Sequence, residues 1–180
     1  HVSTDEVYGS LNLKEKSFIE TGKFYPNSPY SSSKAASDLM CRAWFKTYKL
    51  PIIVTNCSNN YGNYQHNEKL IPKIITNIIE NKKIPVYGEG KNIREWIHAK
   101  DHCSAIEHLI KYGKVGESYN IGSSYRCSNI NLVKKICSII DKKLNIDRPS
   151  KHLITFVEDR KGHDYRYSVN WSKLKKLNWK

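Results

Sequence analysis

The apolar residues of the chain recur with two periods. From Leu70 to Ile79 they fall at 70, 71, 74, 75, 78 and 79, the spacing of one helical face. Pro29 to about Tyr48 predicts another helix, with Pro29 suited to the first turn and Leu39, Met40, Ala43 and Trp44 on one stripe. Asp101 is read as the cap of a helix carrying Ala105, Ile106, Leu109 and Ile110, and Asn129 as the cap of one carrying Val133, Ile136, Cys137 and Ile140. Trp171 to Leu177 predicts a short last helix. Strands are expected over His1 to Thr4, Ile52 to Cys57, Pro85 to Tyr87, Tyr119 to Ile121 and Leu153 to Val157. The β-branched run after Pro51 suits a buried parallel strand. Residues 5 to 29 are polar and broken by Gly9, Gly22, Pro26 and Pro29, which reads as a long functional loop. Strands alternating with helices imply an α/β architecture.

Composition narrows the classes. A chain of 180 residues suits one domain. Lys plus Arg is 30 against 17 for Asp plus Glu, a net charge of +13, yet only six of the cations are arginines. The lysines are scattered over predicted helices, with the densest group at Lys173, Lys175, Lys176 and Lys180. No zinc-finger, RNA-recognition or basic-zipper motif accompanies them. The charge therefore reads as a solvated surface whose field suits a small anionic substrate, not as a nucleic-acid footprint. Apolar runs of four or five residues are too short to span a membrane. Residues 1–9 do not have the form of a signal peptide. The five cysteines, at 41, 57, 103, 127 and 137, are odd in number and irregular in spacing. They suggest reduced thiols in a cytoplasmic protein, with no metal site.

Four groups carry chemistry. Tyr30-Ser-Ser-Ser-Lys34 places a phenol and an ammonium on one helix face, where the cation would favour the phenolate. Such a tyrosine can remove a hydroxyl proton while hydride leaves the same carbon. Tyr87 to Lys91 has the same spacing but spans a glycine turn, so its side chains need not meet. Ser3-Thr4-Asp5-Glu6 follows a strand end, where open α/β sheets bind ligands. Two carboxyl groups with separated pKa values would supply the acid and the base for eliminating water from a sugar. Asn56-Cys57-Ser58-Asn59-Asn60-Tyr61-Gly62 offers amides to a polar ligand. Arg94, Asn129 and Asp159-Arg160-Lys161-Gly162-His163 form the last group, whose arginines match phosphate oxygens.

In this order the motifs resemble the extended short-chain dehydrogenase/reductases and, among them, the dTDP-glucose 4,6-dehydratase family. The matching stretches are HVSTDEVYG (1–9), PNSPYSSSKAASDL (26–39), LPIIVTNCSNNYGNY (50–64), EKLIPKII (68–75), IPVYGEGKNIREWIHAKDH (84–102), GESYNIGS (116–123) and DRKGHDYRY (159–167). The Asp-Glu pair after Thr4 sets them apart from sugar epimerases of the same fold. The resemblance implies a Rossmann-type parallel sheet with a smaller mixed α/β nucleotide-sugar-binding domain. It puts residues 1–66 and parts of 91–130 in the first, and 67–90 and 130–180 in the second.

It further implies that NAD takes hydride from C4 of the sugar as Tyr30, assisted by Lys34, removes the hydroxyl proton. Glu6 would then take the C5 proton, Asp5 would protonate the departing C6 hydroxyl, and hydride would return to C6. Thr4 would polarise the C4 oxygen. Asn60 joins Tyr30 and Lys34 on the nicotinamide side. Asn59, Lys69, Leu70, Pro85, Val86, Tyr87, Arg94, Asn129 and Asp159 to His163 would line the nucleotide-sugar pocket, and a homodimer is implied. Lys161 stands where the family usually has proline, which leaves UDP-glucose open beside dTDP-glucose. No G-x-x-G-x-x-G occurs in the sequence, so an internal fragment with negligible NAD binding or activity of its own is expected. The alternatives are another nucleotide-sugar epimerase or dehydratase, and a basic binding module without catalysis.

Overall fold

The computed structural model describes residues 1–179, and Lys180 of the C-terminal lysine group lies outside the described residues. In chain order the elements are β1 (Val2–Thr4), α1 (Pro29–Tyr48), β2 (Val54–Cys57), β3 (Asn59–Tyr61), α2 (Leu70–Ile79), β4 (Ile84–Tyr87), β5 (Ile93–His98), α3 (Ala99–Tyr112), β6 (Ser118–Ile121), β7 (Arg126–Ser128), α4 (Asn129–Leu144), β8 (Ile154–Val157) and α5 (Ser172–Lys175). A parallel sheet in the order β1-β2-β6 pairs Ser3 with Asn56 and Asn56 with Asn120. Strand β5 pairs in parallel with β3 and antiparallel with β7, and β4 pairs in parallel with β8. The architecture is mixed α/β with parallel sheets, as the alternating pattern implies.

Strands β3, β5 and β7 escape the periodicity. Asn-Asn-Tyr and Arg-Cys-Ser are three-residue polar runs, and Ile-Arg-Glu-Trp-Ile-His buries charged side chains where alternation would place apolar ones. Two caps also differ. His98 caps α3 by accepting from Lys100 N at 3.2 Å, and Ser128 caps α4 by accepting from Asn131 N at 3.4 Å. Asp101 and Asn129 thus sit inside the first turns.

Helix α1 begins at a reciprocal Ser28–Ser31 box, each side chain accepting from the other's backbone N–H at 3.1 Å. Its buried face is small and polar, made of Ser31, Ala35 and Asp38. Leu39, Met40 and Trp44 instead point outward, with Leu39 56% exposed. Small side chains let the helix backbone approach β1 closely, and the apolar stripe falls on the opposite side.

The segment after β1 is packed, not a loose polar loop. Asp5–Tyr8 forms a 3-10 turn that buries Asp5, Val7 and Tyr8. The Tyr8 ring stacks on Phe18 at 5.1 Å, and its hydroxyl donates to Asn120 Oδ1 at 3.0 Å. Gly9 has φ +87°, and a Cβ there would lie 2.4 Å from Tyr25 O, so both the backbone and the contact require glycine. Phe18 then bridges to Val169.

Two main cores hold these elements. One joins α2, β4 and α4 through Ile74, Ile78, Ile84, Val86, Val133 and Cys137. The other joins β5, α3, β6 and α5 through Ile97, Ala105, Leu109, Tyr119, Ile121 and Leu174. Full burial of an aliphatic side chain stabilises by about 1.5–3 kcal/mol.

Candidate active site

Residues just past β1 and β2 meet α2, β4 and the segment after β8 around a cavity of about 460 Å³. Of the residues singled out in the sequence, Glu6, Asn59, Asn60, Lys69, Leu70, Pro85, Tyr87, Arg94, Asn129, Arg160, Lys161, Gly162 and His163 line it. Period-two geometry explains β4, since Pro85 and Tyr87 face the cavity while Val86 turns its side chain into the core. Any contact of Val86 with a ligand is left to its backbone.

Thr4, Asp5 and Glu6 are organised by the 3-10 turn. The Thr4 hydroxyl caps it, accepting from Glu6 N at 3.3 Å, and lies 3.5 Å from Asp5 Oδ1. Asp5 is 2% exposed, and its Oδ2 has no hydrogen-bond partner. Burial, then the charges of Glu6 and Glu95, push its carboxyl well above the usual range. Burial also raises Glu6, while Arg94, Arg160 and Lys69 pull it back. The two neighbouring carboxyl groups therefore occupy different environments: one is buried with its Oδ2 unpartnered, the other open to the cavity among cations.

The tyrosine–lysine pair departs from the simple picture. Tyr30 is largely exposed at the start of α1, and burial with the nearby Glu6 raises its phenol instead of lowering it. The Lys34 ammonium donates to Val2 O at 2.9 Å, bonding to the β1 edge and not to the phenol. Asn60 has its amide engaged within the protein: Nδ2 donates to Ser58 O at 3.1 Å and to Cys57 Sγ at 3.4 Å, and Oδ1 faces His102 Nδ1 at 2.9 Å. Its side chain shapes the strand end, with both amide donors used within the protein and only an Oδ1 lone pair to spare.

Arg94 is also partly engaged. Its guanidinium donates to Asp164 O at 2.9 Å and Ile93 O at 2.9 Å, and stacks 4.4 Å from the Tyr167 ring. It contributes charge at the cavity wall more than a free fork. Arg160 lies 5.1 Å over the Tyr87 ring. Asp159 accepts from Arg160 N at 2.8 Å and lies 2.6 Å from His163 Nδ1, an arrangement that lowers the Asp159 carboxyl. Burial nevertheless wins at His163 and lowers its imidazole, whose Nε2 is buried without a partner. Asn129 Oδ1 is likewise buried and unpartnered at the wall.

Sequence reasoning missed Ser28, Gln65, Glu68, Lys73, Trp96, Asp164 and Tyr167, which also line the cavity. Lys73 follows Lys69 by one helical turn and was open to a periodicity argument. Trp96 follows Arg94 on the same face of β5, a signal lost with that strand. Glu95, between them, faces the other way and is wholly buried.

The dinucleotide implied by the resemblance fits the β1 side only in part. Tyr30 stands accessible at the start of α1, and the Lys34 ammonium keeps two of its three donors beyond the bond to Val2 O, a set suited to ribose hydroxyls. The stacked amides of a glycine-rich turn, which would cradle the pyrophosphate, are not found among the described residues.

The chain is 48% identical over 184 residues to the dTDP-glucose 4,6-dehydratase of Haemophilus influenzae, with 99% of this chain and 54% of that protein covered. It is 49% identical over 185 residues to that of Neisseria meningitidis, with 99% and 52% covered. The chain thus spans about half the length of the curated relatives it matches. Among solved structures, the dTDP-glucose 4,6-dehydratase of Bacillus anthracis in complex with NAD superimposes with a TM-score of 0.90 at 49% identity, over 98% of this chain and 54% of that one. A UDP-glucuronic acid 4-epimerase from Bacillus cereus, at 22% identity and a TM-score of 0.87 over 100% of this chain and 55% of that one, shares the fold. The family model described as GDP-mannose 4,6 dehydratase matches residues 1–180, and the chain belongs to that family.

Proposed function

We propose that the chain carries the acid–base and sugar-nucleotide-binding residues of an NAD-dependent dTDP-glucose 4,6-dehydratase. The observation that carries this reading is the Asp5–Glu6 pair at the end of β1, one carboxyl buried and pushed well above the usual range, the other facing a cavity with Lys69, Lys73, Arg94, Arg160 and Lys161 in its wall. A nucleoside diphosphate sugar supplies the anionic group those cations suit and the hydroxyls the carboxyl groups would process. The curated relatives carry the name of the same activity.

When bound, NAD⁺ supplies hydride acceptance at C4 and hydride return to C6, with Tyr30 and Lys34 as its contacts on this chain. Tyr30 takes the C4 hydroxyl proton, and Lys34 supplies positive charge on the same helix face. Thr4 polarises the C4 oxygen. Once C4 is a ketone the C5 proton is acidic; Glu6 removes it, and Asp5 gives its proton to the departing C6 hydroxyl, which leaves as water. Asn59, Lys69, Leu70, Pro85, Tyr87, Asn129 and Arg160 to His163 hold the nucleotide and sugar. Residues 1–66 and parts of 91–130 form the cofactor-side unit. Residues 67–90 and 130–180 form the sugar-nucleotide unit, with the α2–β4–α4 core as its centre, except that α5 packs Leu174 into the β5–α3–β6 core of the cofactor side.

The exposed Leu39, Met40 and Trp44 on α1 support a homodimer through that helix, which sedimentation of the complete protein checks. Five free cysteines support a cytoplasmic setting. The direct test is turnover of dTDP-glucose and UDP-glucose by the complete protein, read as 4-keto-6-deoxy product. Failure with both sinks the reading, and preference for UDP-glucose assigns the other nucleotide. Glu6→Gln is expected to leave C4 oxidation and abolish elimination, so reduced cofactor accumulates; normal product release by that variant removes Glu6 from its role.

A further inference from the structure

Helix α1 carries Tyr30 and Lys34, while the carboxyl pair follows β1, so the reaction depends on how the helix sits against that strand. One buried charged side chain joins them. Asp38 lies on α1 one turn beyond Lys34 and two beyond Tyr30, about 12 Å along the axis from the tyrosine, and only 4% of it is exposed. Its Oδ2 accepts from Asn56 Nδ2 at 2.8 Å, and its Oδ1 lies 3.0 Å from His1 Nε2. Asn56, fully buried on β2, also directs Nδ2 at Thr4 O, at 3.3 Å. One carboxylate on the helix is thus tied through one amide to the carbonyl that precedes Asp5. Lys34 adds a second tie one turn earlier, through Val2 O.

Such an arrangement is directional. The buried face of α1 is otherwise Ser31 and Ala35, which pack without fixing rotation or sliding of the helix. A buried carboxylate must keep its hydrogen bonds, so it specifies one register where apolar contact would tolerate several.

We propose that Asp38 is a positioning residue, whose bonds to Asn56 and His1 set the register of the Tyr30–Lys34 helix against the Thr4–Asp5–Glu6 strand end. Its effect on catalysis rests on the dehydratase reading above; its effect on the helix does not. Asp38→Leu in the complete protein keeps the branched outline of the side chain and removes both acceptors, so neither Asn56 Nδ2 nor the His1 ring finds its partner on α1, whereas an amide at 38 could still accept from Asn56 and donate to the other tautomer of His1.

Two measurements test this. Backbone amide exchange over residues 30–34 is expected to quicken in D38L relative to α2 and α4. With dTDP-glucose, kcat is expected to fall on the order of 100-fold, the scale of a misplacement of about 1 Å, while KM moves by less than about threefold because the cavity walls lie on other elements. If D38L does not fold, Asn56→Ser keeps the carboxylate, removes the amide and reads the same two quantities. Exchange that rises uniformly or not at all, or a kcat per folded molecule equal to wild type, overturns the proposal. If the wild-type protein turns over no nucleotide sugar, the functional reading fails and the exchange comparison still decides on the anchor.

Discussion

Glu95 offers the sharpest prediction about what holds the site together. Its side chain is 0% exposed. Oε1 accepts from Ser123 N and Ser124 N, each at 3.1 Å, and Oε2 accepts from Arg126 Nε at 3.1 Å and Ser168 Oγ at 3.2 Å. Four donors converge on two acceptors, and Gly122 closes over them so tightly that a Cβ there would lie 2.2 Å from Oε1. Glu95→Gln changes no volume but replaces one acceptor with a donor. If the new amide N–H₂ faces Ser123 and Ser124, two backbone N–H groups lose their acceptor; if it faces the other way, the Arg126 Nε–H does. The Ser168 hydroxyl can turn and accept, so it is the one partner that adapts.

Each charged hydrogen bond is worth about 1.5–3 kcal/mol, and breaking a buried ion pair from one side costs about 3–5 kcal/mol. The first figure is the better guide, since the Arg126 left in place is more than one-third exposed and so is not a stranded buried charge. At about 2–4 °C per kcal/mol for a chain of this size, E95Q should lower Tm by about 3–12 °C, read by circular dichroism with urea titration as a second probe. Arg126→Met should cost clearly less, because Arg126 is more than one-third exposed and the carboxylate keeps three donors. A loss of less than about 1 kcal/mol in E95Q, or a larger loss in R126M, would refute the account.

Two further outcomes follow from the burial of single groups. Asp5, whose carboxyl lies above its unfolded value, contributes stability at low pH that is lost as pH rises through its folded-state pKa. Asp5→Asn should therefore gain stability relative to wild type as pH rises above the usual carboxylate range, seen in paired urea titrations, even as it loses elimination activity; a constant difference would show that burial does not raise this carboxyl. Ile74→Ala empties the centre of the α2–β4–α4 core, where Ile74 is 1% exposed, and should cost about 2–5 kcal/mol by urea titration; a loss below about 1 kcal/mol would mean that this core is not closely packed.

Much of the cavity wall was legible because it follows strands and helices with strong local signals. Lys69 and Leu70 open the most regular apolar period in the chain, and Pro85 and Tyr87 alternate around Val86 on a strand bounded by a glycine turn. Trp96 was not legible, because β5 places Arg94 and Glu95 where a periodicity reading expects apolar residues. The buried polar residues of this protein gain their places from partners far away in sequence, as Glu95 does from Ser123, Arg126 and Ser168.

The sequence by itself determined the α/β alternation, the helix and strand positions with strong periods, and which residues bear acid, base and cationic chemistry. These follow from nearest-neighbour stereochemistry and side-chain type, which the chain carries locally. Only the tertiary structure decided that Leu39, Met40 and Trp44 face outward, that Lys34 bonds to Val2, that the Asn60 amide is engaged internally, and that Asp5 is buried while Glu6 faces the cavity. Exposure, hydrogen-bond partners and the shift of a carboxyl group depend on what other segments bring alongside. Two adjacent acids in a sequence are chemically alike until the fold puts one in the interior and the other at a cavity wall.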